Sequence, residues 1–381
     1  VISGTGSLVK EGTGLLSLTG ANSYSGGTQV AAGKVALDAN TALGAGSATF
    51  ATDTELSLGV TKGLSVANAI EVDGEVDVHS GKFDSSLTGI ISGAGSLVKD
   101  GTGQLSLTQD NTYSGGTQVA AGKVALDANA ALGTGKATFA QNTELSLGVT
   151  QGVSVANAVQ VDGAIKVHSG QFDSNLDGVV SGVGSLVKDG AGTLTLKGTN
   201  IYEGGTVVSD GTLAISQNAN LGKAETGVTV SNATLLLNGD IAIERKVTLA
   251  GTTATLNTAQ DTSSSLDDAV SGTAKLIKTG DGTLTLNTAN SYAGGTQIAK
   301  GTLAISNDAS LGAKAGKFGV DVVIDDAATL ALTGNVAAAR KLALTGSTAI
   351  IDTAKNTSSS LSDVISGSAK LVKEGAGSLT L

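Results

Sequence analysis

The chain has 381 residues, 55 of them glycine, with no proline, cysteine, methionine or tryptophan, and a formal net charge of −10. Absence of cysteine excludes a disulfide framework, a thiolate nucleophile and a cysteine metal site. A chain that is acidic along its length carries no electrostatic footprint for nucleic acid or anionic lipid, so its charge serves solubility. Without methionine even at position 1, and with no signal peptide or membrane-length apolar run, the sequence reads as a processed piece of a longer protein.

In chain order the elements are short runs of period two: Leu16-Ser17-Leu18, Val35-Ala36-Leu37, Leu56-Ser57-Leu58 and Val76-Asp77-Val78. Each sets two apolar side chains on one face of a strand and a small or polar one on the other. Glycine, asparagine, aspartate and serine separate the runs, and no helical stripe interrupts them, so helices should be rare. Leu16 to Val35 spans 19 residues, Val35 to Leu56 spans 21, Leu56 to Val76 spans 20, and Val76 to Leu105 spans 29. A second ladder is expected at Val30, Phe50, Ile70 and Ile90, each 20 residues apart.

The same set of runs then returns. Asn22-Ser23-Tyr24-Ser25-Gly26-Gly27-Thr28 recurs at Asn111 to Thr117, Asn200 to Thr206 and Asn290 to Thr296, placing Tyr24, Tyr113, Tyr202 and Tyr292 at intervals of 89, 89 and 90 residues. Lys10, Lys99, Lys188, Lys278 and Lys373 keep the same beat. The motif positions are Tyr24, Gly26, Gly27 and Thr28; Tyr113, Gly115, Gly116 and Thr117; Tyr202, Gly204, Gly205 and Thr206; and Tyr292, Gly294, Gly295 and Thr296. Modules are expected at about 1–89, 90–178, 179–268 and 269–363, with a partial fifth at 364–381, in a single rod.

A chain that returns to one place every ~20 residues is a solenoid, in which stacked coils bury a continuous apolar column that no coil buries alone. The fold expected is an all-β parallel β-helix with about four coils per 89–95-residue module. The 29-residue interval is assigned to an outward loop or hairpin near Lys82 to Thr88, and a five-residue insertion to Ala315 through Asp321. A string of immunoglobulin-like domains would match the period but calls for a core tryptophan and proline-marked boundaries, which are absent.

The segment Gly95-Ser96-Leu97-Val98-Lys99-Asp100-Gly101-Thr102-Gly103-Gln104-Leu105-Ser106-Leu107, continuing through Tyr113-Ser114-Gly115-Gly116-Thr117 to Gly122, resembles the autotransporter-associated β-strand repeat of Gram-negative passengers. Lys278-Thr279-Gly280-Asp281-Gly282-Thr283-Leu284-Thr285-Leu286 through Thr296 is similar again. The resemblance implies a right-handed β-helix, exported through an outer-membrane barrel outside this chain and displayed on the cell surface or released. It further implies an adhesin or self-aggregating fibre, with host receptors, matrix or other copies of itself as partners.

No chemistry is legible. His79 and His168 stand 89 residues apart and cannot share a metal ion within the chain. Ser80 and Asp84 near His79 lack the oxyanion donors of a triad. The glycine pairs precede no helix, so they mark coil corners rather than a phosphate loop. Asp267-Asp268 and Asp325-Asp326 point to opposite faces if they lie in strands and read as solvated turn acids. The tyrosines are expected to pack at the corner with the hydroxyl outward, and the serine runs 263–265 and 358–360 to lie in loops. No catalytic, cofactor or metal residue is assigned. The expected function is multivalent adhesion or autoaggregation, with a passive stalk as the alternative and a β-helical carbohydrate enzyme as a distant third.

Overall fold

The structure, a computed structural model, describes residues 1–59, 61–314 and 319–381. It consists of two compact units, Val1–Gly204 and Gly205–Leu381.

In the first unit each strand pairs in parallel with the strand about one coil away. One ladder runs through Leu8–Lys10, Thr28–Val30, Ala48–Phe50, Ile70–Val72 and Ile91–Ser92. A second runs from Leu15–Leu18 through Gly33–Leu37, Thr54–Leu58, Glu75–His79 and Ser96–Asp100 to Val180–Ser181. A third includes Ser65–Val66, Ser85–Leu87, Gln104–Leu107, Lys123–Leu126, Glu144–Leu147, Ile165–Ser169 and Leu186–Asp189. These are the stacked coils of a parallel β-helix. The alternating sequence sets the burial: along Thr54–Leu58 positions 54, 56 and 58 are buried and 55 and 57 half-exposed. Val30, Phe50 and Val72, register partners on three successive coils, are fully buried. Each such side chain contributes about 1.5–3 kcal/mol by leaving water.

The register resolves the composite period. Leu8 pairs with Thr28, Thr28 with Ala48, Ala48 with Ile70 and Ile70 with Ile91, steps of 20, 20, 22 and 21 residues. Four turns therefore end at Ile91, whereas the sequence equivalent of Leu8 is Leu97, six residues further on. Leu97 lies on the second ladder, between Val76 and Thr117. Leu186, one module later, lies on the third, paired with Ile165. A module is thus four turns and one further side, and each copy of the motif begins one side around from the last.

This geometry corrects several expectations. Lys82 to Thr88 is not an outward excursion, because Ser85–Leu87 is a strand paired with Ser65–Val66 and with Leu105 to Leu107. The 29-residue interval is a turn from Val76 to Leu97 followed by the side that leads to Leu105. Leu56 pairs with Val78 rather than Val76, so that coil is 22 residues long. Ile91, not Ile90, partners Ile70, and Ile90 is 52% exposed. Identical apolar types on adjacent positions hid that one-residue shift.

The second unit follows the same plan. Thr206–Val208, Val228–Ser231, Val247–Ala250 and Val270–Gly272 form one ladder, and Thr212–Ile215, Thr234–Leu237, Thr253–Thr258 and Lys275–Thr279 belong to the next. The advance by one side recurs: Leu276 pairs with Thr296, while its equivalent Leu371 pairs with Ala349 on the neighbouring ladder. Ser263–Leu266 and Ser358–Leu361 are strands, not loops. Their central hydroxyls, on Ser264 and Ser359, turn inward and donate to the carbonyls of Gly239 and Gly334, which lets serine occupy a buried strand position. Residues 315–318 of the expected insertion lie outside the described residues; the flanking strands Thr296–Ile298 and Val322–Ile324 pair directly. Two single-turn 3-10 helices, Asn218–Leu221 and Asp308–Leu311, are held by the buried guanidiniums of Arg245 and Arg340, each donating to several helix carbonyls.

Candidate interaction surface

The tyrosine motif lies in the interior. Tyr24, Tyr113, Tyr202 and Tyr292 are at most 2% exposed. The hydroxyls of Tyr24, Tyr113 and Tyr292 face the threonine of their own motif, 2.6, 2.5 and 2.7 Å from Oγ1 of Thr28, Thr117 and Thr296. Thr28 in turn donates to the Leu43 carbonyl at 3.0 Å, so the tyrosine proton has an acceptor and the pair is satisfied without water. The outward hydroxyl expected from sequence is therefore wrong: tyrosine and threonine stand four positions apart across the Gly-Gly turn, and that turn folds one back on the other. Burial pushes the Tyr292 phenol up to about 12 and Tyr113 higher still, so neither ionises near neutrality.

Both glycines of the motif are required by this turn. A Cβ on Gly26 would lie 2.6 Å from the Gly6 carbonyl carbon, and Gly27 holds φ at 82°, with a would-be Cβ 2.7 Å from Ser47 O. Motif asparagines tie coil to coil. Asn111 accepts from the Ile91 amide at 2.8 Å and donates to the Ala131 carbonyl at 2.7 Å, bridging the coils on either side.

Sequence reasoning used the lysines only as markers of the beat, and missed what they do. Lys99, Lys188 and Lys278 are fully buried and Lys10 nearly so. The Lys99 ammonium donates to the carbonyls of Asp100, Gly101 and Ala121 at 2.8, 2.7 and 2.9 Å, and Lys278 to those of Thr279, Gly280 and Lys300. Burial pulls Lys99 and Lys278 down to about 8. The Lys-x-Gly-x-Gly spacing was the available signal: glycine at position 101, with φ of 78°, turns the corner carbonyls towards the lysine tip.

The candidate chemical residues are also accounted for. Ser80 is buried and donates to the Gly103 carbonyl, while Asp84 accepts from the Gln104 amide. Nδ1 of His79 lies 2.5 Å from Asp100, and that of His168 2.5 Å from Asp189. Asp267 accepts from Asn287 and Asp268 from the Ala269 amide. Amides of Thr348 and Ser347 hold Asp326 below the usual carboxylate range, and Asp325 accepts from Gln297 and Thr345. Among the described residues no group of three or more His, Cys, Asp or Glu side chains could hold a metal ion.

What faces outward in the first unit is a repeated ionic strip. On the second ladder Lys34, Glu55 and Asp77 are consecutive register partners, beside Ser57, His79 and Asp100. On the third ladder the corresponding sets are Lys123, Glu144 and Lys166, beside Ser146, His168 and Asp189. Lys34 meets Glu55 at 2.5 Å, Lys123 meets Glu144 at 2.8 Å and Lys166 meets Asp189 at 3.3 Å. Burial raises the Glu55 carboxyl, but its bonds from Lys34 and Ser57 outweigh this and hold it below the ordinary value. The two strips differ where Asp77 is replaced by Lys166, so the second is less acidic. A shallow groove of about 510 Å³ runs over the first, between Lys34, Glu55, Ser57, His79 and Lys82. The strips stand on adjacent sides because of the one-side advance per module.

The passenger-associated-transport-repeat family matches at residues 8–37, 97–126, 186–215 and 276–305. Each match begins at or beside the strand that carries the buried lysine and ends beyond the Gly-Gly-Thr turn. The chain carries four passenger-associated transport repeats. It is also 28% identical over 333 residues, 81% of its length, to the adhesin BmaC autotransporter of Brucella suis biovar 1 (strain 1330). That alignment covers 10% of the Brucella protein, so the chain spans about a tenth of the curated relative it matches. No solved structure matches. The repeats and this similarity together support an autotransporter passenger segment, surface-exposed or secreted.

Proposed function

We propose that this segment acts in adhesion or self-association as part of a surface-displayed passenger, anchored by an outer-membrane barrel outside the chain. The observation that carries the reading is the ionic strip repeated on successive sides, which offers many weak polar contacts in place of one pocket. Each exposed ion pair is worth only about 0–1 kcal/mol, but linked sites gain avidity without any single strong contact. The partners would be host surface or matrix receptors, or other copies of the same chain. A non-enzymatic role fits the self-satisfied hydrogen bonding of every serine, histidine and aspartate singled out above.

The test uses cells displaying the full passenger, scored for aggregation and for binding to host cells and matrix. Replacing residues 1–178 by an unrelated β-helix of equal length is expected to abolish or sharply reduce both. Unchanged activity would assign the segment to spacing alone. That stalk reading is favoured by one observation: the first two modules are nearly the same sequence, as spacers tolerate.

A further inference from the structure

The nineteen asparagines of this chain include a single Asn-Gly pair, Asn238-Gly239. It sits at the outer end of the strand Thr234–Leu237 and is held differently from its counterparts. Asn22, Asn68, Asn111, Asn157 and Asn290 each donate the side-chain amide to backbone carbonyls. The Asn238 side chain is exposed and makes no hydrogen bond among the described residues, and the Gly239 amide donates none. In the next module the equivalent residue is Thr333, whose hydroxyl donates to the Ile305 carbonyl at 3.0 Å. Around the pair the chain is fixed: the Asn238 amide donates to Ile215 O, Gly239 O accepts from Ser264, and Asp240 accepts from the Ser263 amide.

We infer that Asn238 is a site of spontaneous deamidation, converting to aspartate and isoaspartate in the folded protein. The Gly239 amide nitrogen gives up its proton and attacks the Asn238 side-chain carbonyl carbon. A carbon–nitrogen bond forms, the side-chain amide nitrogen leaves as ammonia, and a cyclic imide results. Water then opens the imide at either carbonyl, so that one amide plus water becomes one carboxylic acid plus ammonia. Glycine is the residue that leaves this attack unhindered, and both reacting groups here are free of competing hydrogen bonds. Opening to isoaspartate inserts a methylene into the backbone just before Gly239. That displaces Gly239 and Asp240 from Ser264 and Ser263, and loosens the adjoining rung where Ala242 and Ile243 pair with Ser265 and Leu266.

The experiment incubates the native chain at mildly alkaline pH in ¹⁸O-labelled water and maps peptides by mass spectrometry. Isoaspartate is scored by methylation with a protein isoaspartyl methyltransferase. The expected result is label and isoaspartate accumulating at 238 well ahead of every other asparagine, with none at 238 in Asn238→Thr, which borrows the residue of the following module. An intact Asn238 in native protein that reacts readily after urea unfolding would overturn the inference, because the fold would then be shielding the pair. Label concentrated at another asparagine would overturn it as well.

Discussion

Replacing Lys99 by methionine isolates the buried ammonium, because methionine keeps the unbranched stem and its packing volume. The wild-type ammonium is shared among three carbonyls, those of Asp100, Gly101 and Ala121, all within 2.9 Å. Losing the donor leaves the Gly101 and Ala121 carbonyls to water or to nothing, at about 1–3 kcal/mol for each that stays dry, while the Asp100 carbonyl keeps the Ser80 amide. Relief of the ammonium's own desolvation offsets part of that, consistent with burial having already pulled Lys99 down to about 8. The net loss expected is about 2–4 kcal/mol, confined to the coils that share the corner. A stacked chain of this length need not unfold in one step, so the assay is amide hydrogen exchange rather than a melting temperature. The Gly103 amide, bonded to Gly81 O, and the Ala120 amide, bonded to Lys99 O, should lose roughly 30- to 1,000-fold protection. Lys34→Met, whose ammonium is exposed, is the control and should change protection little. If Lys99→Met leaves both amides as protected as the control does, the lysine is a space-filler and the corner holds itself.

Proton linkage gives a second prediction. Lys99 and Lys278 titrate near 8 in the native chain and at 10.5 when free, so the native state sheds these protons first. Between pH 8 and 10.5 the unfolded chain binds more protons, and the contribution of these lysines to stability should rise with pH across that window. Local opening free energies of wild type and Lys99→Met, read from exchange at the Gly103 and Ala120 amides across the window, would show it as a diverging difference, and parallel curves would refute it. Gly116→Ala should cost about 2–4 kcal/mol in local stability by hydrogen exchange, since φ is 92° and the new Cβ would lie 2.4 Å from Lys136 O. Tyr113→Phe removes one buried hydrogen bond and should cost about 1 kcal/mol at the coil of Thr117, measured in the same way.

The period-two runs and the recurrence of Tyr-x-Gly-Gly-Thr were enough to read a stacked β-helix and its ~20-residue coil, because both follow from local alternation and translation. Pairing partners were harder. Val76 and Val78 are both buried valines on one strand, so nothing in the pattern distinguishes a 20-residue coil from a 22-residue one. The same ambiguity turned the extra side of each module into a supposed loop at Lys82 to Thr88. Polar residues in the interior were illegible for another reason. A lysine or tyrosine repeated every 89 residues looks the same whether its tip faces solvent or a ring of carbonyls. Only the closed corner shows which, as it does for Lys99 and for the Tyr113–Thr117 pair.

Leu8, Leu97 and Leu186 occupy three successive ladders, so the first unit indexes like a three-position dial. Duplicating a whole module inserts no frame error in the stacking, yet it advances every surface feature after it by one position. Within that unit a partner approaching from a fixed direction therefore meets the strip of one module, because the strip of the next faces an adjacent side. Lengthening the chain by one or two modules redistributes its contacts around the axis, presenting them to neighbours on different sides instead of strengthening the grip on one.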